Sequence, residues 1–224
     1  MSDTNTSELL KSLEALYLEG DYQQGIDLLL ANKDIFSSGL YHYNLGTFYT
    51  RMGELGAGRY HLELSRQEGH LAPDLLNNIS FIEHQLGSAD LSQSLHMSDR
   101  LLNFFLSWPF QTYLFIALIL TVVVLCLFVW LKPRGRLVRP YFLLCIVPLL
   151  PIGSYFFFDQ HKLAIVIDAS EILEGPSAIY RSDGQIQAGT KVIVGREYNG
   201  WHFIERPQVY KGWVSGESLG ILAR

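Results

Sequence analysis

The chain has 224 residues, a net charge of −5 and 49% hydrophobic residues, yet only 17% of it is charged, against about a quarter in ordinary soluble domains. The deficit is local: no charged side chain occurs from Leu101 to Leu131 or from Pro140 to Phe158, so one uniform soluble domain is excluded. Residues 1–107 carry 14 acids against 6 Lys/Arg and residues 160–224 carry 7 of each, so neither part has the basic face that a nucleic-acid binder needs.

In chain order the first feature is an internal repeat. Segments 16–29, 49–62 and 83–87 align with glycines at 20, 53 and 87, spacings of 33 and 34 residues. A 34-residue period belongs to arrays of helix–turn–helix units, and Leu45, Gly46, Tyr49, Gly53 and Gly58 resemble the tetratricopeptide repeat. Pro73 stands where the next unit begins. Gly46 and Gly58 are small where paired helices approach, with Tyr49 and Leu62 filling between them; Gly20, Gly53 and Gly87 permit a left-handed turn. The third unit is degenerate: Leu91, Leu95 and Met97 are the apolar residues available for its second helix.

Residues 1–100 are therefore expected to form an α-solenoid of about three repeats, with a concave face for an extended or helical partner. The repeat register puts Tyr43, Thr47 and Arg51 on that face, with Asn77, Phe81 and His84 from the third unit. Packing of Tyr43 and Phe81 between repeats is the competing reading. The acidic balance of this part predicts that it stands off anionic lipid.

After an interfacial linker, 101–109, residues 110–131 give 22 positions, notably polar only at Gln111 and Thr112, with Trp108 and Trp130 at the ends, the length and edging of a transmembrane helix. Residues 140–158 predict a second span, kinked by Pro148, Pro151 and Gly153. The loop 132–139 between them holds Lys132, Arg134, Arg136 and Arg139. No Asp, Glu, Lys, Arg or His lies in either span, so an ion or proton path has nothing to run on.

Residues 162–224 alternate in short runs, 163–167, 191–198, 201–206 and 210–214, punctuated by Asp183-Gly184, Asn199-Gly200 and Lys211-Gly212 as hairpin turns. A small antiparallel β-barrel is expected. Gly175-Pro176-Ser177, Asn199-Gly200-Trp201 and Gly212-Trp213-Val214 followed by Ser218-Leu219 resemble a bacterial SH3 domain, a family with members that bind peptides or peptidoglycan. The resemblance implies a core position for Trp201 and more exposed contact positions for Tyr198 and Trp213.

The whole is thus read as a multidomain α-then-β membrane protein: solenoid, helical hairpin, SH3-like barrel. That order resembles the BatE-like proteins of bacterial aerotolerance operons. The resemblance implies an envelope scaffold that works beside membrane-anchored von Willebrand factor A-domain proteins and a MoxR-type ATPase, in oxygen or stress tolerance. A peptidoglycan-binding anchor acting through the barrel is the alternative. No cofactor or metal is expected: the seven histidines show no His-x₃-His spacing, and there is no phosphate loop or nucleophile elbow, so the chain is read as a non-enzyme. Four basic residues in eight place the loop in the cytoplasm and both soluble parts in the periplasm, with the chain in the inner membrane. Met1–Ser12 does not read as a signal peptide, so export of the N-terminal part falls to the first span or to a start upstream.

Overall fold

The structure is a computed structural model that describes residues 2–70, 72–108, 110–131, 145–158 and 161–222. Among the described residues eight α-helices precede seven β-strands. The helices are α1 (Ser2–Glu19), α2 (Tyr22–Ala31), α3 (Ser38–Met52), α4 (Leu55–Gln67), α5 (Pro73–Leu86), α6 (Met97–Leu106), α7 (Phe110–Leu131) and α8 (Leu149–Phe158). The strands are β1 (Lys162–Val166), β2 (Ser170–Leu173), β3 (Ser182–Ile186), β4 (Lys191–Tyr198), β5 (Trp201–Arg206), β6 (Gly212–Ser215) and β7 (Leu219–Ile221). They form two compact units: Met1–Asn103 with Lys162–Ala223, and Phe104–His161.

In the first unit the helices run as antiparallel hairpins. The three turn glycines Gly20, Gly53 and Gly87 have φ of 83°, 88° and 62°, the backbone region open to glycine and costly for other residues. Gly46 is where α3 meets α4: a Cβ there would stand 2.7 Å from Leu62 Cγ and 2.8 Å from the Leu62 nitrogen. One apolar core gathers Leu13, Ile26, Leu29, Phe36, Leu45 and Phe48, and another Leu62, Leu75, Ile79 and Ile82. The degenerate third unit has no long second helix directly after Gly87. Two single 3₁₀ turns follow, of which Leu91 is fully buried, whereas Leu95 and Met97 are exposed.

The strands form one antiparallel sheet in the order β3-β2-β6-β5-β4-β1-β7. It is not closed: β3 and β7 are its edges, which corrects the expected barrel. Two hairpin assignments also change. Asn199-Gly200 is the β4–β5 turn, with φ of 48° and 79°. Asp183-Gly184 instead lies inside β3, where the register against β2 shifts between Ile172 and Leu173. Lys211, with φ −63°, simply leads into β6. The core on one face is aliphatic, built on Ala164, Val166, Val192, Val194, Ile204 and Val214. Trp201 is not part of it; at the mouth of the β4–β5 turn it remains partly buried.

The helices and the sheet, read from sequence as separate modules, belong to one unit because α4 packs on β1 and β7. Gly56 of α4 faces the backbone of Val166 and Ile167, and Gly220 of β7 faces the Tyr60 ring. Ionic groups close the junction. Arg59 Nη1 donates to Asp90 Oδ1 (2.6 Å) and to the Gly189 carbonyl (2.8 Å), and Nη2 reaches Glu83 Oε1 (3.0 Å). Asp90 also accepts from the Lys191 backbone N–H at 2.7 Å, while Lys191 Nζ donates to Glu63 Oε1 at 3.0 Å. Farther along, Arg206 Nη1 of β5 meets the fully buried Asp99 of α6 at 3.2 Å.

Burial opposes the charge on Arg59, but Asp90, Glu63 and Glu83 outweigh it and raise its pKa. Burial likewise pushes Glu63 upward, yet Lys191, Arg66 and Arg59 together bring it down to about 2, so the carboxylate stays ionised.

In the second unit, α7 is a 22-residue apolar helix long enough to cross a membrane. Of the expected second span only 145–158 is described, and its helix α8 begins after Pro148, with Pro151 in the first turn, where a missing N–H costs nothing. The packing of α8 on α7 brings Tyr155 to 4.8 Å from Phe110 and 5.3 Å from Tyr113, ring centre to ring centre. The basic loop 132–139 and positions 140–144 lie outside the described residues.

Candidate functional site

The first helices of successive hairpins, α1, α3 and α5, enclose a groove of about 390 Å³. Each contributes one face. α1 supplies Leu10, Leu13, Glu14 and Tyr17; α3 supplies Tyr43, Asn44, Thr47, Phe48 and Arg51; α5 supplies Asp74, Asn77 and Asn78. Leu10, Asn44 and Asn78 are 34 residues apart in succession, as are Tyr43 and Asn77, so the repeat itself builds the lining.

The walls are polar and ordered. Thr47 Oγ1 donates to the Tyr43 carbonyl (2.8 Å) and accepts from Asn78 Nδ2 (3.4 Å). Arg51 Nε donates to Tyr17 Oη at 2.6 Å, and its guanidinium lies 5.2 Å from the Tyr17 ring centre. This arginine is therefore tied to the wall, and the groove's remaining charged side chains are Glu14 and Asp74. Burial, and then Asp74, raise the Tyr43 pKa, so its hydroxyl keeps its proton and can donate to a ligand.

Of the six residues that the sequence assigned to this face, the structure brings Tyr43, Thr47, Arg51 and Asn77 together. Phe81 and His84 are exposed on α5, but the groove ends before them. Sequence reasoning missed the whole α1 wall. The signal was present: subtracting 34 from Thr47 and Arg51 gives Leu13 and Tyr17.

Tyr198 and Trp213 are also brought together. With Pro176, Arg196 and Glu197 they line a shallower concavity of about 350 Å³ on the sheet. Trp213 is cross-strand partner to Phe203, their rings 5.3 Å apart edge to face, and the Arg196 guanidinium lies 5.1 Å from the Phe203 ring centre. These contacts fix the indole while leaving one face toward the concavity.

A third group sits between α3 and α4. His42 Nδ1 and His61 Nδ1 are 2.9 Å apart, so one ring donates and the other accepts, and the two ring planes are 18° from parallel. Burial first, and His42 second, lower the pKa of His61 to about 4. Among the described residues no three His, Cys, Asp or Glu side chains converge as a metal site.

No family model, curated protein or solved structure matches the chain.

Proposed function

We propose that this chain is a membrane-anchored adaptor whose groove receives a segment of a protein partner. The observation that carries the reading is the groove across α1, α3 and α5, assembled from equivalent positions of a 34-residue period with an apolar floor and hydrogen-bonding walls. A tetratricopeptide array offers this kind of surface to extended or helical segments, and no reaction is assigned to it. The residual acids Glu14 and Asp74 favour a partner segment with a basic side chain.

The membrane reading rests on α7 and on connectivity. Residues before and after the apolar helices belong to one compact unit, which supports an even number of crossings with both flanks on one side. Two crossings, 110–131 and 140–158, satisfy this. With the basic loop retained in the cytoplasm, the adaptor unit faces the periplasm of a Gram-negative cell. In the BatE-like reading its partners are von Willebrand factor A-domain proteins and a MoxR-type ATPase system, in oxygen or stress tolerance.

A second reading draws on the Tyr198–Trp213 concavity, where an SH3-like sheet presents aromatic walls beside Pro176. Such walls suit the stacking of sugar rings, and hence peptidoglycan. Sedimentation of the full-length protein with purified sacculi, lost on Trp213→Ala, would favour it.

The adaptor reading is tested by a photo-crosslinking amino acid at position 43 of the full chain in living cells, with position 23 on the outer helix α2 as control. The expected result is one discrete adduct from position 43. Equal adducts from both positions, or none from position 43, would overturn the groove as the docking site.

A further inference from the structure

We infer that the outer face of α6 lies in the lipid headgroup boundary of the membrane, so that this helix is a lipid-binding element as well as a connector. The inference rests on the reading that α7 crosses a bilayer.

The two faces of α6 differ in chemistry. Asp99 and Asn103, one turn apart, point inward: Asp99 is fully buried against Arg206 and Ser94, and Asn103 donates to Ser92 Oγ. The opposite face carries Met97, Leu101 and Phe104 at i, i+4 and i+7, which are 62%, 50% and 50% exposed, with Leu95 just before them at 83%. These apolar side chains form one helical row half or more exposed, with Phe104 also packed on the Trp108 ring at 4.5 Å, and such a row suits an apolar occupant.

Two observations select lipid. The first is distance. Only three residues separate Leu106 from Phe110, and four extended steps reach about 14 Å at most, so the C-terminal end of α6 stays within that distance of the start of α7. The second is charge. The one acid of α6 is withdrawn into the buried pair with Arg206, and its one exposed charge is Arg100, whose guanidinium lies 3.9 Å from Met97 Sδ. An apolar row edged by a cation suits the boundary between anionic headgroups and acyl chains. The net negative charge of residues 1–107 predicts that this part stands off anionic lipid, whereas α6 itself presents no exposed carboxylate.

The test uses the full chain in nanodiscs of phosphatidylcholine and phosphatidylglycerol, with Cys126 and Cys145 replaced by serine. An environment-sensitive fluorophore is attached at L101C, at N77C in the groove, or at L118C in α7. Quenching by shallow spin-labelled lipid at 101, by deep spin-labelled lipid at 118 and by neither at 77 is the expected pattern. Quenching at 118 with 101 behaving like 77 would overturn the inference and leave the span intact. Failure at 118 would remove the span and the inference with it. A blue shift at 101 without lipid quenching would mean that a second copy covers the face, and would also overturn it. Arg100→Glu should reduce the quenching at 101 at least twofold; an unchanged signal would contradict the charge argument.

Discussion

Arg59 and Asp90 form a fully buried ion pair at 2.6 Å, and the same carboxylate oxygen receives the backbone N–H of Lys191 on the first residue of β4. One carboxylate thus holds α4 and the sheet together. Removing it leaves a buried guanidinium without its main counter-charge, which typically costs about 3–5 kcal/mol. Asp90→Ala should lower the thermal midpoint of helix and sheet signals together, in one transition, in detergent-solubilised protein. Two separated transitions would show that the parts fold independently.

Gly46 tests the helix contact. A methyl group there would press on the Leu62 backbone nitrogen, which cannot move without displacing α4. Gly46→Ala should cost about 1–3 kcal/mol, the usual range for overpacking. Chemical denaturation of the full chain measures it, and a change below about 0.5 kcal/mol, the level of a neutral surface substitution, would mean that α3 and α4 are not in close contact at Gly46.

His61 gives a pH signature. Its pKa falls from 6.5 to about 4 on folding, so the unfolded chain takes up the proton first. The contribution is therefore present above pH 6.5 and lost as pH drops toward 4, by about 3 kcal/mol at most for one group. The groups around the pair are Glu68, which favours the charge on His42, Lys33, which opposes it, and the rings of Tyr41, Tyr49 and Tyr60. Replacing His61 with leucine should flatten stability against pH between 6.5 and 4.5. An unchanged slope would assign the acid sensitivity elsewhere.

The parts of this architecture that were legible are those governed by local rules. Glycines at a 34-residue period announced hairpins because only a residue without a side chain takes a left-handed turn at no cost, and the strands 191–198 and 201–206 were readable from alternation around Asn199-Gly200. The open sheet was not legible, because strand closure depends on pairing between residues far apart in sequence. The junction was missed: Leu163-Ala-Ile-Val-Ile167, counted among the alternating runs, holds no polar residue, the mark of a strand covered on both faces, and helix α4 provides the second cover. No motif in the sequence marks Arg59, Glu63 or Asp90 for burial. Nothing in a repeat register tells which charged residues a distant sheet will bury.

The groove shows the same division. Tyr43 and Asn77 followed from period alone, while Phe81 and His84 were carried past the end of the wall by extending the α5 face too far. The length of a face depends on where the next helix stops, and that is a tertiary property.

Residues on both sides of the apolar helices form one compact unit, for which we propose a place on the outer side of the membrane. Single cysteines at Glu19 and Tyr198, in a chain with Cys126 and Cys145 replaced by serine, can be treated with a membrane-impermeant thiol reagent in intact spheroplasts. Labelling of both positions before lysis is the predicted result. Labelling of one alone would contradict the single unit, and labelling of neither until the inner membrane is broken would place the groove in the cytoplasm.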